Sequence, residues 1–440
     1  MDFLTLELLT PLLMNLLDLP EDVLLLVFHS LALRDFGHLF LACKYLNTLV
    51  TCCHGFKKSR QVAEKTRQIT AHGWDIYRRQ HPHPTFSLAK LPWSSYTRIR
   101  YEAQSDKAWK QPNATFIARP LLRPWNGKFQ PVMDIGVSNL LVCAGDTILR
   151  YLFGENKPSI TLHSTQTLST PDLRFGDTTA VAILHEEPEL VVLISTQDGF
   201  IVRLDFSEDD VVRTIVCRGR TGQRLVVQQN VAVSLSQDGA LRLLGDIDSP
   251  EMSLLSSFEL SRKSWTAFLN LNHSPFIALG TTSTTAPLSV HSLSEDSVQL
   301  SPSAIMSVGN SDAEPSKSAV YGISKAPLNA PWGSSPEIII SGWYDGQVRV
   351  HDLRSSLRDN KAEGSSSLAP LKPVMCMADP WSFEPIYSVA SGGGSSCHVG
   401  AGSARHGIVS FWDIRSPGKG WSVHAPGNDP SPVYSLLMER

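Results

Sequence analysis

The residues best suited to chemistry gather in SGGGSSCHVGAGSARHG, Ser391 to Gly407, where glycines, serines, Cys397 and His398 stand close together. A phosphate-cradling loop or a nucleophile elbow needs such a composition between a strand and a helix. No helical pattern follows here, so the stretch reads as a glycine- and serine-rich loop between strands. Sequence adjacency does not align the Cys397 thiolate with His398 as its base. The HPHP run at 81–84 offers two imidazoles but no third ligand nearby, which falls short of a metal site. No catalytic residue, metal or cofactor is expected, and the chain reads as a non-enzyme.

Charged residues offer two further patterns. Arg150, Arg203, Arg242 and Arg349 recur in ILRYL, IVRLD, LRLL and VRVHD. They could ring an anion, but recurrence at one strand position favours a structural role. Lys57, Lys58, Arg60, Lys65 and Arg67 form a basic run that reads as a solvated helix face. With 39 basic and 42 acidic residues the formal charge is -3, so charge drives the chain toward neither nucleic acid nor an anionic membrane.

The 440 residues exceed what one hydrophobic core fills, so several domains or one large repeat ring are expected. Seven cysteines without C-x-x-C spacing indicate neither a disulfide framework nor a zinc site, which fits a reducing compartment, cytoplasmic or nuclear. The N-terminus carries Asp2 and Glu7 in place of a positive leader, and Asp18, Pro20, Glu21 and Asp22 interrupt its apolar run before a membrane span accumulates. Neither secretion nor membrane insertion is expected.

Two helices fit that opening region. Asp18 followed by Glu21 is an N-terminal capping pattern, and Pro20 is tolerated in a first turn. Val23, Leu24, Val27, Phe28 and Leu31 share one arc while Leu25 and Leu26 lie opposite, so apolar surface runs nearly all round. Asp35 can cap a second helix with Phe36, Leu39, Phe40, Cys43, Leu46 and Val50 on one side. That helix covers only one face of the first. Residues 55–128 read as a helical, aromatic-rich connector whose Trp93, Tyr96, Tyr101, Trp109, Phe116 and Trp125 require something to pack against.

From about residue 129 the text turns all-β. STQDGFIVRLD, SQDGALRLLG, GWYDGQVRVHD and SARHGIVSFWD each place a polar residue and Gly between two alternating strands, as a type I′ hairpin turn would. LLVCAGDTILRYLF and FIALGTTSTTAPLSVHSL are weaker copies, giving six units. Such spacing predicts a β-propeller, whose blades bury their faces only by stacking. SEDSVQLSPSAIMSVGNSDAEPSKS and RSSLRDNKAEGSSSLAP read as polar loops bulging from the ring. PVYSLLMER reads as the first strand of an incomplete seventh unit.

HDLRS after SGWYDGQVRV and FWDIRS after GSARHGIVS, with the dipeptide Trp412-Asp413, resemble the WD40 repeat. The Gly-His dipeptide that usually opens a repeat does not stand at the expected places, so the Asp-His-Ser-Trp network of that family is not assumed. In that family the residue before the turn Asp faces the upper surface. The matching positions are Gln197, Gln237, Tyr344 and Arg405, and neighbouring Trp343 joins them as a candidate aromatic anchor for a substrate protein. Leu19-Pro20, Val23-Leu24, Val27-Phe28, Leu31, Asp35, Leu39 and Cys43-Lys44 resemble an F-box in type and order, with Tyr45 a departure. The divergent repeats and terminal Pro-Val-Tyr-Ser are similar to the dactylin-like branch of F-box/WD40 proteins.

These resemblances imply an α+β multidomain chain: tail 1–14, helical F-box 15–54, connector 55–128 and WD40-like propeller 129–440, with six blades and a partial seventh. They imply a substrate receptor of an SCF ubiquitin ligase. Leu19, Pro20, Val23, Leu24, Val27, Phe28, Leu31 and Leu39 would dock a Skp1-type adaptor and, through it, cullin and RING subunits. The alternative is a WD-repeat scaffold outside the ubiquitin pathway, its N-terminal helices buried within the chain.

Overall fold

The computed structural model describes most of residues 86–439; residues 1–85, 111–120, 122–127, 154–159, 309–317, 360–367, 425–430, 440 and a few single loop positions lie outside the described residues. The expected F-box, with every adaptor-binding residue named above, falls in that undescribed part. The chain divides into two units, 1–82 with 93–107, and 83–92 with 108–440. In the first, helix α1 (Ser95–Lys110) begins, and Trp93 meets Tyr101 edge to face at 5.3 Å. The second holds the β-structure.

Among the described residues six four-stranded antiparallel sheets follow one another: β1–β4 between Val132 and Thr167, β5–β8 between Thr178 and Arg218, β9–β12 between Gly222 and Glu259, β13–β16 between Ser264 and Met306, β17–β20 between Val320 and Ala378, and β21–β24 between Ile386 and His424. This is a six-bladed β-propeller, compatible with the WD40-like expectation, and the six units read in the text supply its six central hairpins. Second strands are continuous apolar or small runs because both their faces are covered: NLLVCA, LVVLIST, FIALGT, IIISGW and HVGAGS are buried throughout. Outer strands such as β4, ITLHSTQT, alternate or stand open to solvent. Apolar clusters form between neighbouring blades, as where Ile338, Ile340 and Val350 pack against Val389, Val399 and Trp412.

The central turns differ from expectation in type. Type I′ needs positive φ at both central residues, yet only Gly199, Gly239 and Gly346 are left-handed at their turns. Their N–H groups bond the carbonyls of Thr196, Ser236 and Trp343, which makes each a type I turn followed by a glycine bulge. Only at His406-Gly407 are both residues left-handed. In the fourth blade a longer loop closes through Thr281 N–H to the Pro287 carbonyl at 2.9 Å.

Of the expected strand PVYSLLMER the described residues 432–439 form no ladder; they run along the sixth blade. The Val433 N–H donates to the Ser403 carbonyl at 2.9 Å, and Ser388 Oγ donates to the Val433 carbonyl at 2.7 Å. Leu437 packs with Leu140, Val142 and Tyr151 of the first blade, so this one segment lies between the last blade and the first. Gly402 permits its approach, since a Cβ there would stand 2.6 Å from Val433 Cβ. The Ser-rich insertion of the fifth blade is also tied down at its end, where fully buried Leu371 bridges Met306 and Arg358.

Candidate functional site at the channel mouth

In an antiparallel blade the turn between second and third strands and the crossover to the next blade lie at one end. That end carries Gln197, Gln237, Tyr344 and Arg405. Gln237 and Arg405 are exposed, Tyr344 is 52% exposed and Gln197 is half-buried, its N–H bonded to the Asp177 carbonyl. Trp343 is corrected. It is fully buried, its indole N–H donates to Ser341 Oγ at 2.8 Å, and the Arg349 guanidinium lies 4.8 Å over its ring. One residue along a strand reverses the face, so Trp343 joins the core while Tyr344 reaches solvent.

The recurring arginines are structural clamps. Arg349 forks onto Asp345 at 2.9 and 2.7 Å, and its Nε donates to the Val308 carbonyl at 2.8 Å. Arg203 pairs with Asp205 and donates to the carbonyls of Ile247 and Ser249 in the next blade, both at 2.9 Å. Arg150 donates to Asn139 Oδ1 at 2.7 Å. His351, fully buried beside Arg349, has its pKa pushed down to about 3 by burial, so it stays neutral.

Inside the ring lies a channel of about 780 Å³ lined by the first strands. In β5 (Thr178–His185), β13 (Ser264–Asn270), β17 (Val320–Lys325) and β21 (Ile386–Gly392) the pairing register skips one residue near the start, and the skipped residues are Thr179, Trp265, Tyr321 and Tyr387. Such a bulge re-aims a side chain, and all four line the channel. Trp265 stacks on Tyr321 at 5.0 Å between ring centres, Tyr321 meets Tyr387 at 4.9 Å, and Tyr387 meets Tyr434 of the terminal segment at 5.7 Å. The arc reaches the outer surface through Tyr344, 6.1 Å from Tyr321. Burial first, then the neighbouring phenols, raises the Tyr321 pKa, so its hydroxyl remains a neutral donor.

Sequence reading missed this arc and also Trp381 and Phe383, which are 91% and 81% exposed on the crossover from the fifth blade to the sixth. Gly346, beside Tyr344, packs against the Phe383 backbone, which joins the crossover to the same patch. The signal available was Trp and Phe within DPWSFEP, a proline-flanked turn with no strand alternation.

Charge in the channel is uneven. Lys128 and Arg224 line it with a single carboxylate, Asp134. Neither cation's side chain makes a hydrogen bond or ion pair within 4 Å among the described residues. Arg224 lines the channel with its side chain exposed, and the surrounding ring still lowers its pKa by desolvation, with Asp134 opposing. Asp134 accepts N–H bonds from Ile183 at 2.7 Å and Ile135 at 2.9 Å. Burial nonetheless raises its pKa from 3.8 to about 6, with the N–H bonds and Arg224 opposing and Glu186 adding.

This shift has a signed consequence. The folded chain takes up the Asp134 proton near pH 6, whereas the unfolded chain waits until its ordinary value of 3.8. The residue therefore stabilises the fold increasingly as pH falls from above about 6 toward 4, and costs stability at neutral pH. Asp134→Asn keeps an acceptor for Ile183 without a charge. We expect it to raise stability by about 1–3 kcal/mol near pH 7.5 and to lose that advantage near pH 4, measured by denaturant unfolding at both.

Among the described residues no group of three His, Cys, Asp or Glu side chains is placed to hold a metal ion, and no helix is long and apolar enough to cross a membrane. What the arrangement can do is bind: an aromatic arc and two cations line one channel, and Tyr344 at the arc's edge stands beside the crossover that carries exposed Phe383. No protein-family model matches the chain, and no curated protein matches it.

Proposed function

We propose that the chain is the substrate-recognition subunit of an SCF-type ubiquitin ligase. The N-terminal helices dock a Skp1-type adaptor, and the propeller holds a substrate protein at its aromatic channel mouth. A separate conjugating enzyme then reaches the substrate's lysines, so the contribution of this chain is proximity and orientation, with no chemistry of its own. The observation that carries the binding half is the arc of Trp265, Tyr321, Tyr387 and Tyr434 along the channel, with Tyr344 at its edge beside the crossover that carries exposed Phe383. Exposed aromatics grouped in this way are binding anchors. The docking half rests on the F-box resemblance of residues 17–50 and on a helix too apolar to stand in water.

Affinity purification of the full chain tests this reading. Adaptor and cullin recovered together support it; recovery of neither favours a scaffold outside the ubiquitin pathway. Deleting residues 17–50 is expected to leave substrate binding intact and to end ubiquitination in a reconstituted reaction. Continued modification by the truncated chain would overturn the model.

A further inference from the structure

We infer that the terminal segment 432–439 is a two-ended strap: it keeps Tyr434 seated in the aromatic arc only while connector residues Lys90 and Trp109 hold its other end, so release of those residues loosens the channel mouth. That this regulates recognition rests on the receptor reading; the coupling itself does not. The two ends lie a blade's height apart, about 20 Å for the seven residues of β21. At the mouth Tyr434 meets Tyr387, near the start of β21. At the far end, just past Gly392, the Gly393 N–H donates to the Glu439 carbonyl at 2.8 Å. The connector grips that far end. Lys90, only 6% exposed, donates from Nζ to the Glu439 carboxylate across 349 residues of chain. The Trp109 indole lies beside it, 4.9 Å from the His398 ring and 5.3 Å from Phe411, and a Cβ on Gly393 would stand 2.7 Å from it. Phe86 fastens the same connector to the first blade, its N–H donating to the Gly136 carbonyl at 3.0 Å.

Between its ends the strap depends on those anchors. Val433 bonds the sixth blade at one end and Glu439 at the other, and residues 434–438 make no backbone hydrogen bond among the described residues. Side chains alone seat them, on two walls in turn. Leu437 packs on the first blade, while Leu436 and Met438 lie on Gly400 of the sixth, where a Cβ would stand 3.0 and 2.9 Å from them. Losing the Glu439 anchor therefore frees Met438, then Leu437, and leaves Tyr434 held from one side. The anchor itself holds or fails as a unit, because a buried Lys90 without its counter-charge is costly enough to drive the connector off as well.

The test is hydrogen exchange of the full chain, read by mass spectrometry, in Lys90→Glu, in Glu439→Lys and in the two combined. Each single reversal is expected to speed exchange by about tenfold or more, both in 432–439 and in the peptides that carry Tyr321 and Tyr387, with residues 231–245 of the third blade unchanged. The combined reversal restores the ion pair in the opposite sense and should return the mouth toward wild type. Glu439→Gln, a milder change that keeps an acceptor for Lys90, should give the same pattern at smaller size. Coupling is reciprocal, so Tyr434→Ala at the mouth should speed exchange in residues 86–92. Faster exchange confined to 437–439, or a combined variant no better than the single ones, would overturn the strap. So would a rise in the third blade equal to that at the mouth, which is plain loss of stability. Adaptor recovery reports on the receptor reading separately, so the two fail independently.

Discussion

Arg349→Met is expected to lower the stability of the propeller by about 3–5 kcal/mol, the cost of removing one partner from a buried ion pair. The Arg349 side chain is only 3% exposed and is held on three sides: Asp345 at 2.9 and 2.7 Å, the Val308 carbonyl at 2.8 Å and the face of Trp343. Methionine fills a comparable volume, so packing is largely kept. What remains is the Asp345 carboxylate without its counter-charge and the Val308 carbonyl without its donor. At about 1–2 °C per kcal/mol for a unit this large, the thermal midpoint should fall by roughly 4–8 °C. Arg349→Met combined with Asp345→Ala removes both charges and should recover much of the loss. If the double variant is as unstable as the single one, the ion pair is not the source of the effect.

Leu24→Asp and Phe28→Asp should each abolish co-purification with a Skp1-type adaptor. Spaced four apart, Leu24 and Phe28 share one face of the expected first helix, and each buried apolar side chain contributes roughly 1.5–3 kcal/mol at an interface core. Placing a carboxylate there loses that contribution and adds the cost of an unpaired charge, so a loss of at least about a hundredfold in affinity is expected. The propeller's thermal transition should not move, because its core is built from other residues. Adaptor retained at wild-type level by either variant would exclude the F-box assignment. A shifted propeller transition would instead favour helices packed within the chain, as the scaffold alternative requires.

How much was legible in the sequence varies with the range of the interaction. Most of the hairpins were readable because a turn glycine and two short strands lie close together in the chain and their contacts are local; the fourth blade's longer loop lacks that signal. The arginines were readable as structural because each recurs three to five residues after a turn glycine. Turn type was not, since Asp-Gly serves both type I′ and the type I turn with a glycine bulge, and strand twist in the folded sheet selects between them. Trp343 was misplaced for a related reason: adjacent residues face opposite sides, and only the blade packed against a strand says which side is inside.

The channel mouth was the least legible part. Trp265, Tyr321, Tyr387 and Tyr434 stand at matching places in SW, VY, IY and VY, yet no two are closer than 47 residues apart in the chain. Nothing local marks them as neighbours. A bulge at the same point of three inner strands, with the terminal segment laid beside the sixth blade, turns all four toward one opening.

Sequence by itself determined the repeat, the class of fold and the number of complete units, because blade formation depends on short-range alternation and turns. It also set the expectation, on residues outside the described ones, that residues 17–50 need cover by another surface. Only the tertiary structure decided which aromatic is core and which is surface, how the last blade meets the first, and which charges share a channel. These depend on ring closure, which brings segments from opposite ends of the chain within a few ångströms and sets their burial. Burial then decides whether Arg349 is a clamp or Arg224 an open donor.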